Sequence, residues 1–201
     1  MRQTPDSPPL DRQQITAVAL ELLRQGGRKA LSIRRLAEEL GIKSASLYYH
    51  FRDKQQLLDY VATAMIQPAW RRPRDGERWQ DWLIDTGHAL RRQLSLYGDG
   101  ALVAAGSTPT PEAYADAVSL LYAPLLEAGF STEQTRDITL TVLRFVGGWT
   151  FDEQIARERG GARPTPVNDA AFDFGIRAII AGCELHLAGE SSDGGELSHP
   201  R

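Results

Sequence analysis

Apolar residues recur at three- and four-residue spacing along most of the chain, and no segment alternates with period two for long enough to predict a strand. Asp11 with Gln14 reads as a capping-box start ahead of Ile15, Val18, Ala19, Leu22 and Leu23, and Gly26-Gly27 is expected to end that helix. Ser32 is placed to cap a second, short helix carrying Ile33, Leu36, Ala37 and Leu40, which Gly41 stops. Ser44 is predicted to cap a third, from which Leu47 and Phe51 face inward. Asp53 with Gln56 repeats the capping pattern ahead of Leu57, Leu58, Val61, Ala62, Met65 and Ile66.

Pro68 and residues 71–76 break the periodicity and predict a linker or a sharp turn between two regions. Trp79, Leu83, Gly87, Leu90 and Leu94 define the next helix, and residues 101–105 a short apolar piece. Thr110 can then cap a helix with Pro111 at its first position; Val118, Leu121, Tyr122, Leu125 and Leu126 share one face of it, and Pro124 predicts a kink. Gly129 closes that helix, and Ser131 with Gln134 opens a long one through Ile138, Val142, Phe145 and Trp149, as far as Ile155. Residues 160–166 read as a flexible loop, and Phe172, Ile176, Ile179, Ile180, Cys183 and Leu187 as the last helix. The expected fold class is therefore all-α.

With 201 residues, 42% of them hydrophobic, the chain can build one ordinary domain or two small ones. Its single cysteine, Cys183, excludes an internal disulfide framework and any CxxC metal or redox site. No apolar run reaches membrane-spanning length and none follows the polar start, so neither a spanning helix nor a secretory signal is expected and the cytoplasm is the default location. The formal charge of −3 hides an asymmetry. Residues 1–67 hold 10 Lys/Arg against 7 Asp/Glu, while residues 68–201 hold 13 against 19. A basic head on an acidic body directs any polyanionic partner to the first third.

That third contains LSIRRLAEELGIKSASLYYHFRDKQQLLDYV, residues 31–61, in which two short helices flank a three-residue turn containing Gly41. This is the helix-turn-helix arrangement, whose second helix enters the major groove of DNA. Leu36, Ala37, Leu40, Ile42 and Leu47 supply its small core, and Ser44, Ala45, Ser46, Tyr48, Tyr49 and His50 form a polar, small and aromatic face suited to groove contact. Arg34 can give paired hydrogen bonds to a guanine edge, and Ala45 and the Tyr48 ring suit a thymine methyl. Tyr49, His50 and Lys54 are placed to hold phosphates, which position a protein without reading sequence. The structural alternative makes Tyr48 and Tyr49 half-buried packing residues and Arg34 a solvated charge.

The Leu-Ser-Ile-Arg-Arg-Leu-Ala run, the Gly-Ile that follows, the Leu-Tyr-Tyr-His-Phe block and Asp53-Lys54 ahead of Leu57-Leu58 resemble the TetR family of bacterial transcription regulators. Residues 76–83, 99–101 and 127–131, Tyr114, Asp152-Glu153-Gln154 and Phe174-Gly175-Ile176 are similar to its tetracycline repressor branch. The resemblance covers about residues 10–187 apart from 160–168, and it implies a homodimer on a palindromic double-stranded operator with a small-molecule effector in the larger domain. The expected domains are 10–56 (helix-turn-helix) and 57–188 (ligand binding and dimerisation), and the composition of residues 189–201 predicts a disordered tail. Arg34 and the helix bearing Ser44 to His50 would contact the operator, whose half-sites would lie about 34–36 Å apart or a multiple of that.

Where tetracycline-binding members carry groups that grip the drug and its metal ion, this chain has Trp70, Thr86, Leu90, Ala104, Thr108 and Arg144. The resemblance puts histidines of those members at Trp70, Ala104 and Arg144; Asp152 keeps an acidic residue. One carboxylate does not make a metal site, so no metal and no cofactor are expected. The remaining pocket reads as apolar and aromatic, from Trp70, Trp82, Leu90, Val103, Phe145 and Trp149, with Thr86, Thr108 and Arg144 orienting the ligand. Phe145 and Trp149 also fit plain core or a dimer interface, and Arg144 fits an ion pair with Asp152 or across that interface. Small residues Gly175, Ala178 and Gly182 in the last helix permit close approach, which makes it and the long helix before it the dimerisation candidates.

No GxSxG, HExxH, P-loop or GxGxxG is present, and His50, His88, His186 and His199 lack ligand spacing, so an enzyme is not expected. The competing reading is a helical ligand-binding or interaction protein whose helix-turn-helix no longer binds DNA. Binding to a palindrome, with its salt dependence, separates the two.

Overall fold

A computed structural model describes residues 10–160 and 166–193, and among these every regular element is helical. Helix α1 (Arg12–Ala30) starts on the expected capping box: Asp11 accepts from the Gln14 N–H at 2.8 Å and Gln14 from the Asp11 N–H at 3.1 Å. The Gly pair does not end it. The chain kinks at Gly26 and Gly27 and the helix resumes to Ala30, because Gly27 takes a left-handed φ of 61° and the carboxylate of Asp99 accepts the Arg28 N–H at 2.6 Å. A side chain from elsewhere in the fold thus supplies the cap that the turn exposes.

Ser32 caps α2 (Ile33–Glu39) by accepting the Arg35 N–H. The turn runs through Gly41 at φ 67° to Lys43, whose extended backbone makes it the N-cap of α3 (Ser44–Leu47). Ser44 is already helical, which places its hydroxyl one position beyond the cap expected of it. Past Leu47 the chain winds on in tighter turns, with the Tyr48, Tyr49 and His50 N–H groups bonding three residues back. Asp53 then caps α4 (Lys54–Ile66) through the Gln56 N–H, and a single 3₁₀ turn (Gln67–Ala69) follows. Ile15, Leu22, Leu23, Leu36, Leu47, Leu57 and Met65 are fully buried, so α1 to α4 share one continuous core. Burial of each such side chain contributes roughly 1.5–3 kcal/mol.

The stretch read as a linker is pinned. Arg71 grips Glu77 with both terminal nitrogens at 2.6 and 2.7 Å, the Arg74 N–H bonds the same carboxylate at 2.7 Å, and the Trp82 indole donates to the Arg71 carbonyl at 2.8 Å. The Arg71 guanidinium and the Arg74 N–H hold the Glu77 carboxyl down at about 2, from an ordinary 4.5. A depressed carboxyl adds stability above its unfolded value and loses it as pH falls toward its folded one. Thermal unfolding of Glu77→Gln should therefore lie below wild type at neutral pH and converge with it between about pH 4.5 and 2; a constant gap across that window would refute this role.

Helix α5 (Trp79–Ser95) buries Trp82, Leu83, Leu90 and Leu94. Helix α6 (Gly100–Ala105) is the short apolar piece, and α7 (Pro111–Ala117) begins as expected with Thr110 as cap. The kink foreseen at Pro124 is spread over a π turn, Val118–Tyr122, before α8 (Ala123–Glu127). Pro124 offers no N–H, and the widened turn takes up the mismatch with an Ala123 N–H to Val118 carbonyl bond. The extra residue per turn rotates the apolar face, so Leu121 and Leu125 are buried while Val118 and Leu126 are exposed. The capping box at Ser131 and Gln134 opens α9 (Thr132–Glu158), longer than the expected span. Helix α10 (Pro166–Asp193) begins at the end of the segment read as a loop and continues into the one read as a tail. The loop reading for 161–165 and the rest of the tail reading, 194–201, lie outside the described residues.

Candidate DNA interface and ligand core

The helix-turn-helix side chains divide as a groove reader requires. Leu36, Ala37 and Leu47 are buried, whereas Tyr49 is 87% exposed and Tyr48, Ala45 and Lys54 also face solvent. Ser44, Ser46 and His50 are half-buried. The packing alternative for Tyr48 and Tyr49 therefore fails. Arg34 does pair on the surface, its Nε donating to Glu38 at 2.9 Å. An ion pair this exposed is worth only about 0–1 kcal/mol, so a base edge or phosphate can displace it at little cost.

Sequence reasoning missed Arg12. Its Nε donates to the His50 carbonyl at 2.7 Å and a terminal nitrogen to the Tyr60 hydroxyl at 3.3 Å, with the guanidinium 5.5 Å from the Tyr60 ring centre. Tyr60 meets Phe51 edge-on at 5.6 Å. Arg12 thereby ties the first turn of α1 to the end of the recognition segment. Its partners lie far along the chain, so no local signal could have marked it.

The sequence reading gives Arg34 and Lys54 different work, a base edge and the phosphate backbone, so on that expectation their removal should differ. Arg34→Ala should relax preference at one operator position at a cost of about 1–3 kcal/mol, whereas Lys54→Ala should weaken all sequences alike and shallow the salt dependence. Competition binding against single-base operator variants at several salt concentrations checks this, and equal loss of selectivity from both would contradict it.

The ligand candidates stand in different surroundings. Trp82 has no exposed surface and its indole N–H is committed to Arg71, so it is core and holds the 70–78 segment, contrary to the lining role expected of it. Leu90 and Val103 are buried on α5 and α6, with Trp70 and Ala104 partly buried against the same core. Phe145 stacks on Phe172 at 5.3 Å and tilts against Trp149 at 5.8 Å, which favours the core reading for it and Trp149. Thr108, Arg144 and Asp152 are exposed. Arg144 and Asp152 make no ion pair with each other; two turns of helix separate them by roughly 12 Å, too far for direct contact.

Thr86 differs from the rest. It is only 7% exposed and its hydroxyl has no hydrogen-bond partner; Thr135, at the start of α9, has the only other such hydroxyl among the described residues. A buried hydroxyl left unpaired costs about 1–3 kcal/mol, which a ligand group could relieve. Magnesium finds no such provision. Among the described residues no three His, Cys, Asp or Glu side chains come together, Ala104 has no donor, and Asp152 stands alone on an exposed face. The residues present do not fit the metal.

A helix-turn-helix head joined through α4 to a larger helical body is the architecture of a DNA-binding regulator. Residues 15–61 match the bacterial regulatory proteins of the tetR family, and residues 72–168 match the tetracyclin repressor-like C-terminal domain. The chain belongs to the TetR family. It is 34% identical to the tetracycline repressor protein class C of Escherichia coli over 87% of this chain and 91% of that one. TetR class A in complex with 5a,6-anhydrotetracycline and magnesium superposes with a TM-score of 0.73 at 33% identity, covering 87% of this chain and 98% of that one. BioQ with its natural double-stranded DNA operator gives 0.70 at 29% identity, over 87% and 98% of the two chains. As a member of this family the protein is a ligand-responsive, DNA-binding regulator of transcription.

Proposed function

We propose that the protein is a repressor released from a palindromic operator by a largely apolar, ring-containing effector that acts without magnesium. It works in the cytoplasm, as a regulator and not an enzyme. The observation that carries the effector's chemistry is the unpaired, buried Thr86 hydroxyl on the same helix as Leu90, beside an α6 that offers Val103 and Ala104. Release requires an effector that binds the DNA-free conformation better than the DNA-bound one.

A route for that coupling exists between α6 and α4. Gln55 donates to the Gly106 carbonyl at 2.8 Å, the Thr108 N–H to Asp59 at 2.9 Å and the Ser107 hydroxyl to the Leu58 carbonyl at 3.3 Å. A shift of the 106–108 turn by a ligand against α6 is thus passed to the helix that carries the head. The protein acts as a homodimer, and α9 and α10 are fitted to form its interface. Leu143, Phe151, Phe174 and Leu185 are exposed on them, and Gly147, Gly148 and Gly182 leave open space where a side chain would stand.

Titration with aromatic metabolites, following tryptophan fluorescence and operator release with and without a chelator, tests the reading. Release by an apolar compound that survives chelation is expected. Release by tetracycline only with magnesium, or by a small, highly charged effector at this site, would overturn it. Thr86→Val, which keeps the shape and removes the hydroxyl, should leave stability unchanged or raised by about 1 kcal/mol while reducing effector sensitivity severalfold.

A further inference from the structure

The face of α5 opposite Thr86 and Leu90 borders a cleft of about 780 Å³ shared with α9 and α10. Its carboxylates are already committed. Glu153, buried, accepts from Arg91 through both Nε and a terminal nitrogen and from the Trp149 indole at 3.1 Å, while Asp169 accepts from Arg91 at 2.8 Å. His88 is paired with Asp173 at 3.2 Å. The Arg91 guanidinium also lies 4.6 Å from the centre of the Phe172 ring, which fixes it in the wall.

Two further cations on the lining, Arg92 and Arg157, have no acidic partner among the described residues. Of the three guanidinium nitrogens of Arg157 only Nε is shut off from water, so the two terminal nitrogens, which make no bond to an acid, are the ones a ligand can reach. A guanidinium without an acidic partner, in a cleft whose acids are taken, is complementary to an anion. The Ser95 hydroxyl adds a donor and Leu96 an apolar edge.

We propose that this cleft is a binding site for a small organic oxyanion, a carboxylate or a phosphate, held by Arg157 and Arg92 and oriented by Ser95. It is separate from the apolar effector site. Its position also links it to the head. Gln154, the neighbour of Glu153, donates to the Leu94 and Tyr97 carbonyls at 3.0 and 2.9 Å and accepts the Ala101 N–H at 3.2 Å. The corner it fastens carries Asp99, whose carboxylate caps the resumed turn of α1.

Calorimetric titration of the full-length protein with inorganic phosphate and with succinate, at ionic strength matched by sodium chloride, tests the site. Saturable binding of at least one of the two, with one site per chain, is expected, and which one binds identifies the chemistry of the natural ligand. Arg157→Gln should weaken it at least tenfold, Arg92→Gln severalfold, and Arg157→Lys less than Arg157→Gln. Arg92 is exposed, so its variant tests the site even if substitutions at Arg157 impair folding. Thr86→Val should leave oxyanion binding unchanged, which separates this site from the apolar effector site. Binding no stronger than chloride's, or equal binding by wild type and both Gln variants, would overturn the proposal.

Discussion

Glu153→Ala should lower the free energy of unfolding by about 3–5 kcal/mol, the cost of breaking a buried ion pair from one side. The Glu153 side chain is 6% exposed and that of Arg91 11%. Burial works against the Arg91 charge, and its bonds to Glu153 and Asp169 outweigh that penalty, holding its pKa above the ordinary value. Without Glu153 the guanidinium keeps only Asp169, whose side chain is largely in solvent, and the Trp149 indole loses its acceptor. Replacing both partners by apolar residues of similar volume, Arg91→Met with Glu153→Leu, should recover most of the loss, because the large cost comes from stranding one charge. Urea unfolding of the three variants measures this. A single-variant loss below about 1 kcal/mol, or a double variant worse than Glu153→Ala, would mean the pair carries little.

The second large effect is expected at the joint between head and body. A methyl group on Gly27 would fall 2.6 Å from the Asp99 carboxylate and force a side chain into left-handed backbone. Gly27→Ala should therefore cost about 1–3 kcal/mol and displace the Asp99 cap from the Arg28 N–H. Asp99→Ala removes the same cap from the other side. Both act on one contact, so their effects should be strongly non-additive in a double-mutant cycle. Each variant should still bind the operator, because the core of the head is untouched, but effector-driven release should shrink severalfold as α1 loses its hold on the 94–101 corner. Additive losses with unchanged release would show that this joint does not carry the coupling.

The legible parts of the chain were those where one segment decides its own structure. The capping boxes at Asp11 and Ser131, the caps at Ser32, Asp53 and Thr110, and the apolar spacing of α5 and α9 are local, and each appeared where it was expected. In the helix-turn-helix, Leu36, Ala37 and Leu47 are buried and Ala45, Tyr48 and Tyr49 exposed, while Ser44, Ser46 and His50 are half-buried, the last lying where the chain has left the α-helical period. The ligand side was less legible. Trp82 was read as lining and is core, and Phe145 and Trp149 pack with Phe172 as their alternative reading had it, because spacing tells which residues share a face but not whether that face meets a cavity or another helix.

By itself the sequence determined an all-α chain, a basic helix-turn-helix head and a family, and it set the expectation that magnesium has no donor set here. These depend on residue types and on periodicities of a few residues. Tertiary structure alone decided that a Gly pair kinks α1 instead of ending it, that Arg12 braces the recognition segment from 38 residues away, and that Arg91 spends the acids of a cleft in which Arg157 is left unpaired. Each of these rests on a partner distant in the chain, and the free energy of a capped turn, a paired charge or a stranded donor is set by what stands opposite it in space.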